Sequence, residues 1–165
     1  MTEVPAVIEV LNSASTWLRS RGIAQWPESF DQGPITSSAE RGELYIAVDD
    51  ENVVGTMTLQ WSDPPFWGDR SDAGFLHRLA VRRHHAGLGR RLIDWADLHS
   101  ELERRAYLCL DVMTPNLQLR RYYEALSFEK APDLVEPMQY LSQRRWQTTL
   151  YQREVGRFRA LDWFC

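Results

Sequence analysis

Residues 82–91 read RRHHAGLGRR, with four arginines and two histidines around Gly87 and Gly89. The chemistry open to such a stretch is to hold an anion. A strand delivering the chain into a helix start leaves successive backbone N–H groups unpaired, and the helix dipole adds partial positive charge. Glycine at 87 and 89 lets an anion approach the backbone with no Cβ in the way. No Ser, Thr, Asp or Asn stands at the helix start, and Arg90 and Arg91 carry the wrong sign for the dipole. A bound anion would supply the missing negative charge; arginines solvated at a frayed helix end are the plain alternative.

Other anion-binding loops fit less well. A Walker loop needs Gly-Lys-Ser/Thr, and no lysine occurs here. For a dinucleotide fingerprint, Asp111 lies roughly 20 residues on, where a ribose-binding acid belongs. Leu92, however, occupies the third glycine position, and a hairpin precedes the unit. His84 and His85 are adjacent and lack partners at ligand spacing, so no metal is expected.

Any anion site must be local, because the chain is acidic overall. Its 165 residues carry 19 basic and 23 acidic side chains, a formal charge of −4. Neither nucleic acid nor an anionic membrane is an expected partner. Cys109 and Cys165 give no disulfide framework, and no apolar run approaches the roughly 18 residues of a membrane span. No secretory leader is recognisable. A single cytoplasmic domain over residues 1–165 is the expectation. Seven tryptophans are more than a small core normally needs.

The positioning elements follow from periodicity. Residues 5–21 place Val7, Val10, Leu11, Ala14 and Leu18 at helical spacing, with Gly22 as a stop. Residues 22–35 read as irregular, with a short helix from Ser37 to Arg41. ELYIAV and VVGTMTLQW flank the polar turn DDEN, an antiparallel hairpin whose second strand alternates strictly and so should be half-buried. SDPPFWGDRSD reads as a loop and AGFLHRLAV as a third strand. Leu88, Leu92, Trp95, Ala96, His99 and Leu102 form one helical stripe reaching about Arg105. AYLCLDVM is a strand covered on both faces. Asn116 is placed to cap a helix running to about Leu126. A strand near Phe128, a Pro-containing loop and the strand WQTTLYQRE complete the set. The β-α-β piece from Phe75 to Met113 requires parallel pairing, so the fold is α/β (α+β), a mixed sheet with helices on its faces. The apolar tail FRALDWFC would pack on its own sheet or on a partner, which leaves a homodimer open.

At this point the sequence resembles the GNAT superfamily of acyl-CoA-dependent N-acetyltransferases. That family shows a strand ending Leu-x-Val, then Arg/Gln-x-x-Gly-x-Gly/Ala opening a helix. Here LAV is followed by HHAGLG, with His84 at the Arg/Gln position. Further on the family shows Asn, Tyr seven residues later, then Gly-Phe; this chain has Asn116, Tyr123 and Ser127-Phe128. The resemblance covers residues 43–152. It implies a mostly antiparallel central sheet that splays between its two central parallel strands, and acetyl transfer from acetyl-CoA to a primary amine in a ternary complex. A CoA-binding or regulatory module without turnover is the alternative, and a nucleotide-binding protein a third.

The resemblance also assigns roles. Leu79, Ala80 and Val81 would pair with the pantetheine arm, and His84, His85, Ala86, Gly87, Leu88, Gly89 and Arg90 would seat the pyrophosphate, with Arg83 nearby. Asn116 would hydrogen-bond the arm. Tyr123 would protonate the leaving thiolate, its phenol being neutral at pH 7 and close in pKa to a thiol. An amine acceptor needs a base, for which His77 is the leading candidate and a structural histidine the alternative; Asp111 and Glu124 rank lower. His77 should share a sheet face with Phe75, Leu79 and Val81. Trp17, Trp26, Phe30, Trp61, Phe66 and Trp67 would surround the acceptor, with Asp31, Asp63, Asp69 and Asp72 drawing in an ammonium.

Overall fold

The computed structural model describes residues 3–131, 138–141 and 144–156, with 138–141 and 144–146 described by their backbone alone. Helix α1 (Val4–Ser20) ends at Gly22, whose φ is +75°. Helix α2 (Gln32–Glu40) begins five residues before the expected start. Pro34 falls in its first turn, where a missing N–H costs nothing. The hairpin β1 (Leu44–Asp49) and β2 (Asn52–Gln60) turns through Asp50 and Glu51, both at positive φ, as a tight two-residue turn requires. The expected loop after β2 contains a one-turn helix, α3 (Pro64–Trp67), started by its two prolines. Then follow β3 (Ala73–Val81), α4 (Leu88–Leu102), β4 (Tyr107–Met113), α5 (Leu117–Ala125), β5 (Glu129–Lys130), β6 (Met138–Leu141) and β7 (Arg144–Glu154). Strand β6 falls where the sequence reads as a loop. The apolar tail lies outside the described residues.

The sheet order is β1-β2-β3-β4-β7, with β5 and β6 both pairing along the far edge of β7. Every pairing is antiparallel except β3 with β4. This is the mixed, mostly antiparallel sheet that the motif order predicts. Helices α1 and α2 pack Val7, Val10, Leu11 and Ile35 with Val53 and Ala80. Helix α4 packs Leu92, Ile93 and Ala96 with Met57, Leu59 and Leu110. Strand β2 is therefore buried on both faces rather than half-buried, and Thr56 and Thr58 are as covered as Met57. Its hydroxyls are satisfied, since Thr56 Oγ1 donates to the Tyr45 carbonyl and Thr58 Oγ1 accepts from Arg78 Nε. At the far end, Arg153 lies buried against Asp97 (Nη2 to Oδ1 2.9 Å), tying β7 to α4.

Two irregularities create the site. The parallel ladder between β3 and β4 ends at Leu76 opposite Leu110, although β3 runs on to Val81 and β4 to Met113. Beyond those residues the strands part. On the β2 side, Thr56 pairs with Ala80 but Thr58 with His77, so Arg78 and Leu79 together stand opposite Met57. This is a β-bulge, and Arg78 sits in it at φ +51°. The bulge reverses the alternation. Phe75 packs with Cys109 and Trp67, whereas Leu79 and Val81 pack on the α4 side. The expectation that Leu79 and Val81 share the face of Phe75 and His77 is thus corrected.

Candidate active site

The parted strands open onto one cavity of about 980 Å³. It reaches from the start of α4, past the ends of β3 and β4, to the aromatic residues that follow α1. At the α4 end, Gly87 precedes the helix at φ +83°, and no side chain caps it. The His85 N–H donates to the Arg82 carbonyl and the Leu88 N–H to the His85 carbonyl. Among the described residues the N–H groups of Ala86, Gly87, Gly89 and Arg90 have no such partner, and all four residues line the cavity. A left-handed glycine thus leaves unpaired N–H groups of a loop and a helix start lining one space, the kind of donor set an anion needs. Arg83 stands over the Trp17 ring at 5.6 Å, and Arg90 Nε is 3.6 Å from Asp94.

Midway, the edge of β3 from His77 onward has no ladder partner on the β4 side and can pair with an extended arm. Asn116 caps α5, as expected: its Oδ1 accepts from the Leu119 N–H at 3.2 Å. Its Nδ2 donates to Gln25 Oε1 at 2.7 Å, which closes the cavity between α5 and the loop after α1. Tyr123 lines the same wall, its ring edge-on to Phe128. Burial, and then the neighbouring Tyr122 and Asp111, push its phenol well above the ordinary range. The close match to a thiol expected from the free side chain is therefore lost. Tyr123 stays a neutral hydrogen-bond donor that parts with its proton reluctantly.

Farther along the wall, His77 of β3 sits between two carboxylates. Its Nδ1 is 3.4 Å from Asp111 Oδ1 and its Nε2 is 3.4 Å from Asp63 Oδ2. Burial disfavours the imidazolium, but Asp111 and then Asp63 outweigh it and lift His77 to about 9.

A family model, the acetyltransferase (GNAT) family, matches residues 9–128. The chain is 30% identical over 139 residues to the uncharacterized N-acetyltransferase YesJ of Bacillus subtilis (strain 168), with 77% of each chain covered. The chain belongs to the GNAT acetyltransferase family. Its fold also matches solved structures. One is a GNAT-family acetyltransferase from Listeria monocytogenes 4b F2365, with TM-score 0.72, 22% identity, and 93% and 90% of the two chains covered. Another is the acetyltransferase yncA of Salmonella typhimurium, solved with its cofactor acetyl-CoA, with TM-score 0.67, 16% identity, and 96% and 92% covered.

In this acetyltransferase the cavity gathers most of the residues singled out by sequence. Leu79, Ala80, Val81, His85, Ala86, Gly87, Gly89, Arg90, Asn116, Tyr123 and His77 all line it. His84 does not: it is exposed and off the wall, so the departure from Arg or Gln falls where no cavity contact depends on it. Leu88 turns into the core beside Gly55. Of the six aromatics, Trp17, Trp26, Phe30 and Phe66 line the cavity. Trp67 instead packs on Phe75, and Trp61 lies beside His99 and under Arg105. Glu124 accepts from the Tyr151 hydroxyl at 2.7 Å, outside the cavity. Among the described residues no group of three or more His, Cys, Asp or Glu is placed to hold a metal ion, and no helix is long and apolar enough to cross a membrane. Gln25 and the bulged Arg78 escaped the sequence reading. Gln25 carried no spacing signal, and a left-handed arginine has none.

Proposed function

We propose that the acetyltransferase moves an acetyl group from acetyl-CoA to a primary amine by direct attack while both substrates are bound. The observation that carries this reading is the continuity of the cavity. The unpaired N–H groups before α4, the free edge of β3 and the aromatic residues all line it, so a donor from one end and an amine from the other would meet at the splay. The acetyl-CoA bound in the Salmonella structure lends support through the shared fold. The N–H groups of Ala86, Gly87, Gly89 and Arg90, with Arg83 beside them, would hold the pyrophosphate. The free edge of β3 would bind the arm, with Asn116 and Gln25 at its side. A backbone N–H of that edge would polarise the thioester carbonyl.

As the amine nitrogen bonds to the acetyl carbon and the carbon–sulfur bond breaks, Tyr123 donates to the departing sulfur. The amine gives up its proton toward Asp111 and His77, since an ammonium is no nucleophile. Trp26, Phe30 and Phe66 give the acceptor end an apolar wall, and Asp111 is a carboxylate on its inner side. That combination suits an amine on an apolar or aromatic body.

Calorimetry and thermal shift with acetyl-CoA, CoA, NAD and ATP, followed by thiol release over an amine panel, test the reading. Acetyl-CoA and CoA should stabilise the protein most, and thiol release should require an amine. Binding without release on any amine would identify a non-catalytic module, and a preference for NAD or ATP would identify a nucleotide-binding protein.

A further inference from the structure

The two carboxylates around His77 differ in what they face. Asp111 lines the cavity; Asp63 stands behind its wall and is only 7% exposed. A carboxylate buried so deeply is costly unless it is paired, and among the described residues its ion-pair partner is His77. Its place is fixed from both sides. The Asp63 carbonyl accepts the N–H groups of Phe66 at 3.2 Å and Trp67 at 2.8 Å, and Trp67 is anchored against Phe75. The prolines at 64 and 65 stiffen the turn. The ring of His77 thereby lies with one nitrogen 3.4 Å from the cavity carboxylate and the other 3.4 Å from the hidden one, as ion-pair contacts rather than aligned hydrogen bonds.

Among the described residues no other charged group acts on the ring. From β4 come Asp111 and Cys109, whose thiol burial pushes up to about 12 and so keeps neutral. From α5 comes the neutral phenol of Tyr123. Strand β2 presents the uncharged Thr58, and the neighbouring Arg78 turns away to Thr58 Oγ1 at 3.0 Å and Ser38 Oγ at 2.7 Å.

We propose that Asp63 is a positioning residue of the acetyl-transfer reaction, which from behind the cavity wall fixes the His77 ring against Asp111 and holds its proton. The inference rests on the reading of His77 and Asp111 as the groups that take the proton of the amine. The reaction then needs His77 without its proton, so transfer rises with pH until that proton leaves. With two carboxylates in contact the rise extends into the alkaline range; with one it ends lower, because a nearby opposite charge favours the protonated ring.

The test combines an imidazole titration by long-range proton–nitrogen correlation with pH profiles of kcat and kcat/KM, using phenethylamine and spermidine as probe acceptors. The chain has four histidines, and loss of one signal in His77→Gln assigns the ring. The expected midpoint for His77 in the parent lies near 9. In Asp63→Asn both that midpoint and the rising limb should fall by about one pH unit or more, while Asp63→Glu, which keeps the charge, should restore both. A midpoint unmoved in Asp63→Asn overturns the proposal. So does a midpoint that falls while the limb stays, since His77 would then lie outside the rate. If Asp63→Asn yields no folded protein, a parent midpoint near that of free histidine is equally fatal. Absence of thiol release with every amine would instead strike at the acetyl-transfer reading, and the titration alone would still decide whether Asp63 holds the proton.

Discussion

The clamp on His77 predicts a pH dependence of stability whose sign and size follow from the structure. In the folded protein His77 loses its proton at about 9, against 6.5 for the ordinary side chain. Below pH 6.5 the ring is protonated whether the chain is folded or not, and the ion pairs with Asp63 and Asp111 contribute in full. Between those two values the unfolded chain has released the proton and the folded one retains it, so stability falls as pH rises, by about 1.4 kcal/mol per pH unit. Above the folded value both states are neutral and the contribution is gone. The loss across this window is on the order of 3 kcal/mol, a substantial share of the 5–15 kcal/mol or so that holds a typical domain together. Urea unfolding of the parent and of His77→Gln at several pH values from 6.5 to 10 measures it. The other side chains are common to both proteins, so the difference between the curves reports the histidine. That difference should shrink steadily toward alkaline pH. Parallel curves would show that the imidazole gains nothing from its carboxylates on folding, and the reasoning about the clamp would fail with them.

Two further substitutions probe the other parts of the cavity. Tyr123→Phe should lower kcat on the order of 10²-fold while leaving acetyl-CoA affinity within about twofold, because in the proposed reaction the hydroxyl acts only as sulfur departs. Steady-state kinetics beside calorimetry separates the two, and full turnover would remove Tyr123 from the reaction. Gly87→Ala meets open space but must hold φ +83°, at a cost of about 1–2 kcal/mol. If the backbone relaxes instead, the N–H groups lose their aim, and acetyl-CoA affinity should drop about tenfold with little change in kcat. Calorimetry on the folded variant decides this, and unchanged affinity would place the anion elsewhere.

What was legible in the sequence was whatever depends on neighbouring residues. The hairpin showed in strict alternation around a polar turn, and the start of α4 in a change of period beside two glycines. The cap on α5 showed in an asparagine just ahead of a helical stripe. Each is a local free-energy preference, and tertiary packing left it in place. Even a departure from the family pattern obeys this logic: Ser127 stands where glycine is usual, yet keeps a glycine-like φ of +63° at the end of α5. A side chain changed there while the backbone path did not.

The parts that stayed hidden depend on partners far apart in the chain. Alternation predicted His77 on one face with Leu79 and Val81, and it failed because Arg78 adopts a left-handed bulge that no residue type announces. That bulge is stabilised from elsewhere, by Thr58 and by Ser38, which lies 40 residues away in sequence. Asp63 could be read only as one acid among several near the acceptor. Its pairing with His77 depends on a one-turn helix, which a loop with two prolines does not distinguish from a simple bend. Gln25 reaches Asn116 across 91 residues. The proposed anion seat was legible because unpaired backbone N–H groups and glycines would form it, whereas the proposed proton-handling end was not, because it depends on how three side chains from three separate segments meet. Substitutions at the seat should therefore act mainly through backbone conformation and change binding. Those around His77 should act through charge and change pH dependence, which is why the two ends call for different measurements.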